Sequence, residues 1–301
     1  MFIFFNQRWE TTRILLGYFL LSSNIAVEKW LLGTYTLYEI NFVTAGIFMT
    51  LTAIHELLNQ RSLHRIKPVS WKILIPISLY TLGAWHCFLS ALKGLSVFEF
   101  GAMSLLFPVV MAVLAILVLK EKQTIWIWPA IGFGIAGGCL MMQAEWMGIS
   151  NIHFHAYMFG ALIFSSLRWI TVKYAGDNVP ASAMIFWEPV LILLVMLFFI
   201  DLNYLWNRIT PMLLFSGVLL FFSRQCLVRS YQAQGSSAIS ISSLIYTKLG
   251  WTLLFSYIFW GSLPKTSDWI GVILIIISSW IIVFRQTSPS KFRKMDHFQN
   301  K

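Results

Sequence analysis

Ten stretches of roughly twenty apolar residues, joined by short polar connections, constrain this chain more than any other feature. They fall at 13–32, 37–57, 72–92, 96–119, 125–143, 154–173, 181–200, 210–231, 236–260 and 268–284. A helix rising about 1.5 Å per residue needs roughly 20 such residues to cross about 30 Å of hydrocarbon. Ten spans occupy most of the 301 residues and leave no room for a soluble domain. Runs such as Val190–Ile200 are apolar on every side, so the two-residue alternation of a membrane β-barrel is missing. Composition agrees. Hydrophobic residues make up 58% and charged residues 11%, with a mean hydropathy of +0.72, whereas a soluble domain carries about 25% charged residues. The expected fold is an all-α integral membrane protein of ten transmembrane helices.

Arg8 and Arg13 ahead of the first apolar run suggest a secretory signal. That run is long, however, and ends at Glu28-Lys29-Trp30 without a small-residue cleavage site, so it is expected to stay as the first helix. The three cysteines, Cys87, Cys139 and Cys226, lie in apolar runs and give neither a disulfide framework nor metal-ligand spacing.

A formal charge of +10 suggests nucleic acid at first sight. Its distribution points elsewhere. With the N-terminus inside, fifteen of the 22 Lys and Arg fall on cytoplasmic segments and four (Lys29, Lys93, Arg208 and Lys265) on the opposite face. Such a skew orients a membrane protein with both termini cytoplasmic. No nucleic-acid partner is expected.

The chain also repeats. A shift of 143 residues lays Gly17 on Gly160, Ser22-Ser23 on Ser165-Ser166 and Gly33 on Gly176. A shift of 140 aligns the fourth and ninth spans, with Pro108 on Lys248 and Glu121 on Gly261. Five spans per half is an odd number, so the halves are expected to lie in opposite orientation. Secondary transporters recurrently use such inverted repeats, with substrate bound near the midplane between them. The expected division is a first repeat at 1–143, an external linker at 144–152, a second repeat at 153–285 and a basic cytoplasmic tail at 286–301.

Ala91-Leu92, Phe107-Pro108 and Leu119-Lys120-Glu121, ahead of a Gly-rich fifth span, resemble the first repeat of the drug/metabolite transporter superfamily, of the ten-helix EamA type. Pro108 matches that family's mid-helix proline, and Glu121 its helix-ending acid about thirteen residues on. Ser22-Ser23-Asn24, Lys29 and Glu39 fit as well. In the second half Lys248 stands in place of the proline and Gly261 in place of the acid. The resemblance implies a transporter of small organic metabolites. Two substrate classes look closest, amino-acid-like compounds and S-adenosylmethionine.

A charge inside a span costs at least ~2.5 kcal/mol on insertion scales, which makes each one a candidate for function. Arg168, Glu188, Arg224 and Lys248 qualify. By helix rise they lie ~8, ~10, ~10 and ~18 Å from the cytoplasmic ends of their spans. Lys248 is too deep to snorkel with ease. It needs a carboxylate, a polar cavity or an anionic substrate, and both a salt bridge with Glu188 and a substrate contact satisfy that need. Arg168 and Arg224 are within snorkelling reach of the interface. Glu188 precedes Pro189, whose missing N–H frees a carbonyl and suits a bend or gate, as Pro108 does in span four.

Trp85, Trp187, Tyr246 and Trp251 are aromatic candidates for a central site. Asn24 offers a cavity-facing amide. A lone intramembrane histidine such as His86 more commonly packs than ligates. Glu28, Glu39 and Glu99 are expected at the outer interface, solvated. Gly132-x-Gly134-x-x-Gly137 spells a dinucleotide fingerprint, but it lies inside an apolar helix with no preceding strand. Gly134 and Gly138 read instead as a small-xxx-small packing seam. His153-x-His155 lacks metal-site spacing and company, and no P-loop is present, so neither cofactor nor bound metal is expected. The leading expectation is alternating-access transport, with proton coupling or exchange open. The rivals are a membrane-embedded lipid-modifying enzyme, which would need a catalytic cluster near one interface, and a non-transporting scaffold.

Overall fold

The computed structural model describes residues 2–60, 70–119, 127–142, 152–175, 181–206, 208–232 and 247–286. These residues are helical apart from turns and contain no strand. The helices are α1 (Phe2–Leu31), α2 (Leu37–Gln60), α3 (Trp71–Gly94), α4 (Val97–Ser104), α5 (Phe107–Leu119), α6 (Ile127–Met142), α7 (Ile152–Ala175), α8 (Ala181–Met196), α9 (Leu202–Trp206), α10 (Pro211–Gln232), α11 (Thr247–Trp260) and α12 (Thr266–Gln286). Joining α4 and α5 as two parts of one span, and setting aside the five-residue α9, leaves ten spans among the described residues. Linker 144–152 and tail 286–301 lie outside the described residues, except for Ile152 and Gln286.

Thr12–Leu31, Leu37–Leu58, Trp71–Gly94 and Val97–Val118 are each long and apolar enough to cross a membrane. Shorter apolar stretches run through Trp128–Leu140, Phe186–Met196, Pro211–Leu227 and Asp268–Ile281. Large apolar side chains such as Leu58, Phe198 and Trp206 stand exposed, the coat a bundle presents to lipid. Ser22, Ser166, Ser216, Ser223, Thr252 and Ser278 are fully buried. This inversion of a soluble protein's pattern follows from helix association in lipid, where close packing of small residues and hydrogen bonds replace the hydrophobic effect.

Packing shows the twofold relation between the halves. α1 lies on α10 as α3 lies on α7; α2 lies on α10 as α3 lies on α8; α1 lies on α11 as α5 lies on α7. Each second pair is the first with the halves exchanged. The pairs α2–α8, α4–α11 and α6–α12 map onto themselves, so they straddle the pseudo-twofold axis. Most extensive contacts join one repeat to the other, and the core clusters among the described residues draw on both halves.

Two helices depart from the expected spans. α1 starts at Phe2 rather than near residue 13. α8 ends at Met196 instead of running to 200, and Phe198 and Phe199 turn back through bonds to the Val195 and Met196 carbonyls.

Candidate functional site

The span formed by α4 and α5 is broken at Leu105-Leu106, and the sequence explains why. Pro108 has no N–H to give the Ser104 carbonyl, four residues earlier. The amides of Val109 and Val110 both turn to the Leu106 carbonyl, at 2.9 and 3.0 Å. The Leu105 carbonyl is thereby freed, and the Ser279 hydroxyl of α12 donates to it at 2.9 Å. Irregular backbone at membrane depth is tolerated where protein satisfies it, and here a facing helix does so.

Lys248 sits at this break. Its Nζ donates to Ser104 Oγ at 2.9 Å and lies 5.9 Å from the centre of the Phe100 ring. Its backbone carbonyl faces the Ser22 hydroxyl at 3.5 Å. One turn along, the Thr252 hydroxyl would lie 2.2 Å from any Cβ added at Gly101, so only glycine lets α4 meet α11 this closely. Lys248 is 8% exposed. Of the two partners open to Lys248, the salt bridge with Glu188 is not formed: among the described residues, Lys248 pairs with a hydroxyl and an aromatic face, and with no carboxylate. The reason is geometric, since Lys248 belongs to the α4–α11 contact and Glu188 to a different group of helices.

That group is α3, α7, α8 and α10. Arg168 of α7 donates to Glu188 of α8 at 2.8 Å, with both side chains largely buried. The Thr81 hydroxyl of α3 donates to the Ile77 carbonyl of its own helix at 2.9 Å, and Arg224 of α10 lies within electrostatic reach of both charges. Arg168 lies 5.1 Å from the Trp169 ring centre. One carboxylate and two cations give this group a formal charge of +1.

The sequence pattern of the EamA-like transporter family matches twice, over residues 9–143 and 154–284. The chain belongs to that family. It is a multi-pass membrane transporter of the drug/metabolite type. A solved structure titled only "Crystal structure of protein" shares its fold, with a TM-score of 0.62 and 15% identity over 93% of this chain and 99% of that one. No curated protein matches the chain by sequence.

The other candidates of this EamA-like transporter are scattered. Trp187 packs edge-on against Trp71 at 5.0 Å, near the first turn of α3, beside Leu74, Ile77 and Met184. Trp85 lies centrally, between the Ala45–Ile192–Met196 cluster and the Phe48–Leu220–Phe221 cluster. His86 packs 5.8 Å from Tyr38, and Trp251 stands edge-on to Phe19 at 5.0 Å. Asn24 is buried and donates to Glu28 at 2.9 Å within its own helix, while its Oδ1 has no partner among the described residues. Tyr246 and Glu121 lie outside the described residues. Pro189 sits inside α8, which continues as helix past it. In the α6 seam, Gly134 meets Ser278 and Val109, but Gly138 turns toward Leu106. The tightest approach belongs to Gly137, where an added Cβ would lie 2.6 Å from the Gly271 carbonyl.

Of the outer carboxylates, Glu39 is buried rather than solvated, whereas Glu28 and Glu99 are partly exposed. Glu39 is 5% exposed; its carboxylate accepts from the Thr36 amide at 2.7 Å and the Thr36 hydroxyl at 2.9 Å, capping α2. Glu99 and Ser96 form a reciprocal capping box on α4. Thr36-x-x-Glu39 and Ser96-x-x-Glu99 spell this motif in the sequence, which is the signal that could have found it. Lys29 is likewise not a free surface charge. Its ammonium donates to the carbonyls of Leu92, Lys93 and Leu95 at 2.7, 3.0 and 3.0 Å, closing the C-terminus of α3.

A latch joins the α1–α2 and α9–α10 connections, and nothing in the sequence pattern announces it. The Arg208 guanidinium donates to the Thr34 carbonyl at 2.8 Å, lies 5.4 Å from the Tyr35 ring centre and comes within 4.0 Å of Glu39. The Tyr35 hydroxyl in turn donates to the Arg208 carbonyl and meets Thr210 Oγ1 at 3.1 Å.

Proposed function

We propose that this protein is a secondary transporter that carries a small organic metabolite across the inner (plasma) membrane by alternating access. Both termini are cytoplasmic, and repeat 1–143 rocks against repeat 153–285. The observation that carries this reading is Lys248, a buried cation held on the pseudo-twofold contact by one serine hydroxyl at a broken helix. A buried cation given a hydroxyl in place of a carboxylate is poised to exchange that partner for an anionic group on a substrate. Substrate carboxylates suit it, as in amino-acid-like metabolites or S-adenosylmethionine-like compounds. The +15 against +4 distribution of basic side chains supports the orientation. In that orientation the Arg208–Tyr35 latch closes the external side. Pro108 and Pro189 supply the bends at which helices would move, and no cofactor takes part.

The test is uptake and efflux of a metabolite panel by the purified protein in vesicles, with and without a pH gradient. Replacing Lys248 by Met is expected to lower affinity for the transported compound at least tenfold. Unchanged affinity in Lys248→Met removes the substrate role of Lys248. Absence of flux for every compound, in both directions, removes the transporter reading itself.

A further inference from the structure

The Arg168–Glu188–Arg224 group carries an inference of its own, which rests on the transporter reading. Glu188 is committed through Oε2 to Arg168 at 2.8 Å. The cations are not used up in this way. Arg168 Nε is a buried donor with no acceptor among the described residues. Arg224 is half-buried, and among the described residues its charged neighbours are Glu188, already bound, and Arg168, which repels it. A buried guanidinium N–H without an acceptor is costly, more so beside a second unneutralised cation. Three helices thus converge to hold a surplus positive charge and an unused donor.

Helix α1 sets the position of this group relative to Lys248. The Ser223 hydroxyl, next to Arg224, donates to the Gly17 carbonyl at 3.0 Å. The Ser22 hydroxyl faces the Lys248 carbonyl. Gly17 and Ser22 are separated by about 7.5 Å of helix rise. Both cationic positions are therefore braced on one helix, at neighbouring levels, and together the four intramembrane charges sum to +2.

We propose that Arg224 and the spare Nε of Arg168 form an anion-docking subsite, and that the transported metabolite is a net organic anion. The Arg168–Glu188 pair is its fixed support. A carboxylate or phosphate of the substrate accepts from both guanidinium groups and brings the cluster to neutrality, and a second anionic group would lie toward Lys248. Within the amino-acid-like class this favours acidic compounds over neutral ones, and it disfavours a net cation such as S-adenosylmethionine.

The probes are L-glutamate and succinate, set against L-glutamine and S-adenosylmethionine, with the full chain in vesicles. Expected are saturable fluxes of an anionic probe at a KM at least tenfold below that of either other compound. Arg224→Gln should raise that KM at least tenfold. Arg168→Lys keeps a cation for Glu188 but loses the spare donor, and should raise KM several-fold with Vmax little changed. Should Arg224→Gln fail to fold, Arg224→Lys carries the test, since it keeps the charge without the two-pronged donor set; a several-fold rise in KM is expected. Transport of glutamine or S-adenosylmethionine in preference to both anions overturns the anion subsite and leaves the transporter reading standing. An unchanged KM for the anionic probe in the Arg224 variants overturns it as well. Absence of flux for all four probes overturns the subsite, and the transporter reading is then decided separately by the wider panel.

Discussion

Glu188 shows what a single residue at membrane depth has to satisfy. The residue is 6% exposed, and its carboxylate is bonded to Arg168. Desolvating two ions costs several kcal/mol, so the pair adds little net stability over apolar residues of similar size. Removing one partner is another matter, because it strands the other charge. Glu188→Gln is accordingly expected to destabilise the protein by about 3–5 kcal/mol, read as loss of thermal stability in detergent. The paired replacement Glu188→Leu with Arg168→Met is expected to recover most of that loss. Recovery would identify the pair as an electrostatic unit; a double variant as unstable as the single one would contradict it. Lys248 is the complementary case, a cation given a hydroxyl where an ion pair would have closed the site.

At the scale of elements, the bundle depends on a few places where backbones nearly touch. α6 and α12 approach most closely at Gly137, opposite the Gly271 carbonyl and Ile275. A Cβ there would lie 2.6 Å from a backbone oxygen, which has no rotamer by which to retreat. Gly137→Val is therefore expected to force the two helices apart, lowering stability by about 1–3 kcal/mol as overpacking does. Gly132→Val, whose added Cβ would meet nothing within 4 Å, is the control and should change little. Comparing the two by thermal unfolding isolates packing from helix propensity. Helix ends are equally specified. α11 stops at Gly261, whose φ of +62° turns the following Ser262 amide back toward the Ser256 carbonyl at 3.4 Å, a left-handed cap that other residues adopt at a cost. An acid at that position, as in the matching span of the first half, would not end the helix this way.

For the whole molecule, the two halves are interlocked, and the alternating-access cycle proposed above requires one to move on the other. The pairs on the axis, α2–α8, α4–α11 and α6–α12, are where one repeat would pivot on the other. Opening the latched end requires the α1–α2 connection to leave the α9–α10 connection, so Tyr35 must part from Thr210 and Arg208 from Thr34. Cysteines introduced at Thr34 and Arg208 and joined by a short cleavable cross-linker are expected to abolish at least nine-tenths of transport, and cleavage of the linker should restore it. Full transport with the linker in place would mean that this end does not open during the cycle.

The number of spans and the division into two halves were legible in the sequence, because bilayer thickness sets a length that an apolar run either meets or misses. The existence of four costly charges was legible for the same reason, and helix rise, linear in residue number, gives each an expected depth. Depth is only one coordinate. Which neighbour a side chain meets depends on the rotation of each helix and on which helices adjoin. Those are decided by packing across the two repeats, by contacts such as Gly101 on Thr252 and Ser223 on Gly17. For that reason the sequence could place Glu188 and Lys248 in the same membrane but only the tertiary structure could give Glu188 to Arg168, and Lys248 to Ser104.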